Sequence, residues 1–156
     1  MSAYGITQVD AVEEILDTIY NLLKSESSTM QVDLVVRGDT MTGAPKGKTL
    51  WIFPDLADCT HTAGLTEYWR MRIQLVATVV DADRVRGQKR AHSIINNAMS
   101  ALVICRRLDK GMRFVQDVKK ERVQFMPPRA PEARTGILSC GGIMQITFAL
   151  REGEAK

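Results

Sequence analysis

The sequence predicts an α+β fold: a mainly antiparallel β-sheet with two helices packed against it, in a single domain over residues 1–156. Three observations predict it. Residues 10–27 and about 84–108 place apolar side chains at helical spacing, whereas the segments between and after them alternate with a period of two. The order is helix, strands, helix, strands, not a strict alternation of strand and helix. With 156 residues, 45% apolar and 25% charged, the chain has the size and balance of one domain with a real core.

In the first helix, Val12, Ile15, Leu16, Ile19, Leu22 and Leu23 form one apolar stripe. Asp10 followed by Glu13 reads as a capping box with Asp10 as the cap. A strand over 30–38 then sets Val32, Leu34 and Val36 against Gln31, Asp33 and Arg37. The Gly- and Pro-bearing segment 38–48 is a loop, and the apolar run 49–53 is a strand buried on both faces and stopped by Pro54. Residues 54–65 read as a further connection.

The strand over 66–80 has one continuous apolar face: Trp69, Met71, Ile73, Leu75, Ala77 and Val79. Its other face is polar at Tyr68, Arg70, Arg72 and Gln74, then turns to Val76, Thr78 and Val80. That change predicts a strand running from a half-solvated region into one covered on both sides. Asp83 is placed to cap the second helix. Its stripe is Ala91, Ile94, Ile95, Ala98, Ala101, Leu102 and Cys105, with Arg106 and Arg107 at the C-terminal end. Residues 112–126 form one long or two short strands around a charged interruption at 119–122. The segment 127–135, with three prolines, is an exposed loop. The last strand alternates Leu138, Cys140, Met144, Ile146, Phe148 and Leu150, with a bulge or bend expected at Gly141–Gly142. Disordered ends are expected at about 1–8 and 152–156, and partial mobility in loops 38–48, 54–65 and 127–135.

The net charge of +3 conceals an asymmetry. Residues 1–65 hold four Lys/Arg against nine Asp/Glu, a net of −5, and residues 66–156 hold seventeen against nine, a net of +8. Such a division suits nucleic acid, a protein surface of opposite sign, or two differently charged solvent faces. No run approaches the roughly 18 apolar residues of a membrane span, and no secretory signal pattern opens the chain. Three widely spaced cysteines, Cys59, Cys105 and Cys140, fit reduced cytosolic thiols better than a disulfide framework.

No catalytic or cofactor motif is complete. The stretch 43–49, "GAPKGKT", has three residues where a phosphate-binding loop needs four, and it precedes a strand where that loop opens a helix. Cys59 and His61 lack the further paired ligands of a zinc site, and His92, Cys105 and Cys140 are isolated. Asp81 and Asp83 are explained by a strand end and a helix cap, and the neighbouring Arg84 and Arg86 oppose a cation. The residues therefore indicate a non-enzyme without metal or cofactor. The outstanding feature is basic: Tyr68, Arg70, Arg72, Arg84, Arg86, Lys89 and Arg90. Four of these cations crowd the start of a helix, where the dipole disfavours them. Aromatic interleaving for base stacking is sparse, so a subunit surface or a passage for DNA suits the set better than sequence-specific reading.

The arrangement resembles the tail terminator (tail completion) proteins of long-tailed bacteriophages. The resemblance rests on the helix "VEEILDTIYNLLKS", the loop and strand "GAPKGKTLWIFP", the strand-into-helix "YWRMRIQLVATVVDADRVRGQKRAHSIINNAMSALV" and the closing "GIMQITFALRE". It covers residues 10–150 and is one of pattern. It implies a virion structural protein of the tail or neck, assembled in the host cytoplasm, neither enzymatic nor cofactor-dependent. A homo-oligomeric ring, typically hexameric, would cap the tail tube, stop its polymerisation and dock to a head connector, with non-specific DNA contact in its passage. Another neck, head-completion or minor capsid protein, or a basic nucleic-acid-binding module, are the alternative readings.

Overall fold

A computed structural model describes residues 7–38, 47–104, 114–126 and 136–151. Its elements are α1 (Gln8–Ser25), a single-turn α2 (Ser27–Met30), β1 (Leu34–Arg37), β2 (Lys48–Ala63), β3 (Thr66–Val80), α3 (Arg84–Ile104), β4 (Val115–Met126) and β5 (Ile137–Arg151). The strands form one sheet in the order β1-β2-β3-β5-β4, antiparallel throughout except for the parallel pair β1–β2. This is the predicted α+β fold, with α2 added to the two expected helices. Cys105, Arg106 and Arg107, most of loop 38–48, loop 127–135 and the chain ends at 1–6 and 152–156 lie outside the described residues.

The helices cover one face of the sheet. Met71, Ile73, Leu75, Ala77 and Val79 of β3 and Leu138, Cys140, Met144, Ile146, Phe148 and Leu150 of β5 are all buried, as their alternation predicts. α1 adds Ala11, Ile15, Leu16, Ile19 and Leu23, and α3 adds Ala91, Ile94, Ile95, Ala98, Met99 and Leu102. Phe148 is at the centre: it is fully buried, stacks at 6.3 Å on Trp69 and meets Phe114 edge-on.

Five local expectations are corrected. The cap of α1 is Thr7, whose hydroxyl accepts from the Asp10 amide (3.2 Å) and donates to the Asp10 carboxylate (2.8 Å). Asp10 thus occupies the reciprocal position of the capping box, three residues into the motif. In β1 it is Val35, opposite Leu50, that faces the core, while Leu34 is 52% exposed. Gln31 takes a left-handed conformation (φ 58°), which re-aims the chain and puts Val32 out of phase with the strand that follows.

The third correction is the largest. β2 does not stop at Pro54 but runs to Ala63, so residues 54–63 are strand and not connection. Ile52 accepts from the Gly38 amide on the β1 side, and β1 ends at Arg37. By the two-residue period, the Pro54 nitrogen points to that same side, beyond the end of β1, where no ladder bond is lost. On its other side, β2 shifts register against β3 between Pro54 and Leu56.

Fourth, Gly141–Gly142 is not a bulge, because β5 pairs with β3 without a break from Ile137 to Arg151. The irregularities are in β4, between Val115 and Asp117 and between Lys120 and Arg122, so the charged interruption is a bulge in one strand. Gly142 is needed for packing: a Cβ there would come within 2.8 Å of Met99 Sδ and 2.9 Å of Ile95 Cγ2. Fifth, Val80 is 43% exposed, although Val76 and Thr78 on the same face are buried as expected. Trp51 lies over them, its Nε1 donating to Thr78 Oγ1 at 3.0 Å.

Two substitutions test this packing. Phe148→Ala removes the central ring and is expected to cost about 3–5 kcal/mol in urea unfolding. Gly142→Val drives α3 off the sheet and should cost about 1–3 kcal/mol by overpacking. A neutral result for Gly142→Val would mean that α3 does not seat on β5 as described.

Candidate functional site

The basic residues singled out from the sequence fall into two groups. Tyr68, Arg70 and Arg72 project from β3 on the face away from the helices. Arg84, Arg86, Lys89 and Arg90 begin α3, in the helix layer, beyond the opposite end of that strand. The eight steps from Arg72 to Val80 span about 26 Å at about 3.3 Å each.

On β3 Tyr68, Arg70 and Arg72 each have a partner from a neighbouring strand. Arg70 Nη2 meets Asp58 Oδ2 at 3.1 Å, and Arg72 Nη2 meets Glu121 Oε1 at 2.8 Å. Tyr68 stacks on His61 with centroids 4.4 Å apart, and the Thr60 hydroxyl donates to the Tyr68 carbonyl at 3.1 Å. Partly exposed pairs of this kind contribute about 0–1 kcal/mol each. Arg70 and Arg72 Nε, Asp58 Oδ1 and Glu121 Oε2 are buried without a hydrogen bond among the described residues. The face is therefore neutralised in pairs yet keeps donor and acceptor capacity.

The start of α3 is built around Asp81, whose side chain is only 4% exposed. Arg86 donates to it twice, Nε to Oδ2 at 2.9 Å and Nη2 to Oδ1 at 2.8 Å. The Asp83 amide donates to Oδ1 at 2.9 Å, and Arg90 Nη1 is 3.5 Å from Oδ2. The Asp81 amide in turn donates to the Gly136 carbonyl at 2.8 Å, which ties the end of β3 to the start of β5. Asp83 caps the helix as expected, accepting from the Val85 and Arg86 amides at 3.0 and 3.2 Å. Hydrogen bonds from Arg86, and then from the Asp83 amide, hold the Asp81 carboxyl well below the usual carboxylate range despite its burial. The same pair raises Arg86. Two of the four crowded cations thus answer a buried carboxylate, which explains their place at the wrong end of a helix dipole. Arg84 and Lys89 form no ion pair among the described residues, and they flank Val85, which is 66% exposed.

The described parts of the chemical motifs are placed as follows. Gly47, at φ +61°, leads into β2 and not into a helix, so the 43–49 stretch is not a phosphate loop; its residues 43–46 lie outside the described part. His61 is engaged with Tyr68, and His92 packs edge-on against Phe125. Cys59 is exposed, and burial pushes the Cys140 thiol up. Among the described residues no group of three or more His, Cys, Asp or Glu could hold a metal ion, and no helix is long and apolar enough to cross a membrane. The sequence places Asp81 beside the four cations as a partial offset to their charge; its burial and its convergence with Arg86 and Arg90 come only with the fold. The available signal was an acid beside four cations that otherwise had no partner.

No protein-family model matches the sequence, and no curated protein matches it. Among solved structures the fold is similar to a chain from the "virion of native gene transfer agent (GTA) particle". That likeness has a TM-score of 0.57 at 10% identity and covers 86% of this chain and 94% of the other. At that identity it is a likeness of fold.

The Asp81 cluster gives a pH prediction. A carboxyl with a depressed folded-state pKa contributes stability that is present above the unfolded value, about pH 4, and is lost as pH falls through the folded one. Asp81→Asn is therefore expected to lower Tm at pH 7 and to reduce the steepness of stability loss below about pH 4. An unchanged acid limb, followed by circular dichroism in urea from pH 7 to 2.5, would contradict this role.

Proposed function

We propose that this chain is a virion structural protein of a tailed, phage-like particle, and within that class a tail terminator. Copies form a ring, hexameric by the family resemblance, that caps the tail tube, ends its growth and meets the head connector. The observation that carries the reading is the fold likeness to a chain of a gene transfer agent virion, which extends over nearly the full length of both chains. The described residues support it in kind: Arg70, Arg72 and Asp81 are engaged in strand-to-strand pairs and a helix junction. The face bearing Arg70 and Arg72 then meets a neighbouring subunit or lines the passage for DNA.

Co-expression with a tail tube subunit of the same particle is the direct test. Size-exclusion with light scattering should show a ring-sized species, and electron microscopy should show added density at one end of tubes whose length becomes limited. Strictly monomeric behaviour with no effect on tube length would contradict the reading. DNA retention that is tight at low salt and steep in salt would favour the nucleic-acid alternative.

A further inference from the structure

The charge asymmetry of the sequence becomes a lateral gradient in the fold. α1 lies on β1 at one edge of the sheet, and α3 lies on β3, β5 and β4 towards the other. Residues 8–37, which build the first edge, hold six Asp/Glu against two Lys/Arg, a net of −4. β2 carries −1 and β3 carries +1. At the far edge, residues 81–104 and β4 together hold seven Lys/Arg against four Asp/Glu, a net of +3. β5, between β3 and β4, carries +1, so the charge turns from negative to positive between β2 and β3 and stays positive to the far edge.

From this gradient we infer that the two edges are the complementary halves of one self-interface: the acidic α1–β1 edge of one copy docks on the basic α3–β4 edge of the next. The inference rests on the ring proposed above and names its contact surfaces. On the acidic side Glu13 and Asp17 reach out from α1 and hold Arg37 between them, each remaining more than half exposed. On the basic side Lys89 of α3 and Lys119 and Arg122 of β4 are exposed and carry no ion pair among the described residues. Their positive charge is thus not cancelled by an ion pair among the described residues.

Two further features favour side-chain contact over strand addition. β1 is four residues long, and β4 carries two bulges and a row of cations, the devices by which sheet edges resist backbone pairing. Because the two edges differ, the contact is heterologous and repeats head to tail, closing into a ring where the rotation allows. Charge complementarity of this kind sets register and encounter rate, and it weakens with salt.

The test uses two full-length variants, each with one edge reversed: Glu13→Lys with Asp17→Lys, and Lys119→Glu with Arg122→Glu. Glu13→Gln with Asp17→Asn serves as a milder acidic-edge variant in case Arg37 tolerates no added cation nearby. Circular dichroism checks folding, and sedimentation velocity reads assembly. Each reversed variant alone is expected to self-associate at least tenfold more weakly than wild type. An equimolar mixture should recover assembly, because one variant then offers two basic edges and the other two acidic ones. Wild-type assembly should also fall between 50 and 500 mM salt. Folded variants that assemble as wild type does, or a mixture that fails to recover, overturn this interface while leaving the virion reading intact. A wild type that stays monomeric even with tubes present overturns both.

Discussion

The position of α3 depends on one buried carboxylate. Asp81 stands where β3 ends, and its amide and side chain tie that end to α3, through Arg86, Arg90 and the Asp83 amide that precedes the helix, and to the residue before β5, through the Gly136 carbonyl. Two glycines make room for it. A Cβ on Gly136, which has φ +72°, would sit 2.9 Å from the Asp81 carbonyl oxygen, and one on Gly87 would sit 3.0 Å from Asp81 Cβ and 2.2 Å from Leu138 Cδ1. The junction is thus tight by sterics and directed by charge. It fixes the angle at which the helix returns over the sheet, and so which cations of α3 are consumed inside the chain and which remain for a partner.

That division changes the meaning of the basic residues. A helix that starts with Arg84, Arg86, Lys89 and Arg90 looks from sequence like a surface waiting for an anion. In the folded chain Arg86 and Arg90 converge on Asp81, and Arg70 and Arg72 each have an acid on a neighbouring strand. Arg84 and Lys89 of α3 and Lys119 and Arg122 of β4 form no ion pair among the described residues. The charge difference across the sheet, not one patch, is what the proposed head-to-tail contact would use.

The fold class, both long helices and the inward faces of β3 and β5 were legible because burial imposes strict periods on strongly apolar segments. Asp83 was legible as a cap for the same local reason. What escaped depended on neighbours distant in sequence. Pro54 stops a strand only where a partner needs its amide, and here β1 has already ended. Gly142 looked like a bend because the covering residues, Ile95 and Met99, lie almost fifty positions away. Thr7 was passed over as a cap because Asp10 offered an acceptable one three residues later. The candidate surface was read as continuous because strand face and helix layer cannot be told apart by adjacency in sequence. Chemistry was legible mainly by elimination, since each tempting motif lacked the spacing or the context it needs.

The most direct test of the head-to-tail account is zero-length carbodiimide cross-linking of the assembled wild-type protein, prepared from equal parts of isotopically light and heavy chains. Mixed-label peptides identify bonds formed between copies. The account predicts amide bonds joining Glu13 or Asp17 of one copy to Lys119 or Lys89 of another, lost at high salt. Intermolecular links absent from an assembled sample, or confined to residues on a single edge, would contradict it.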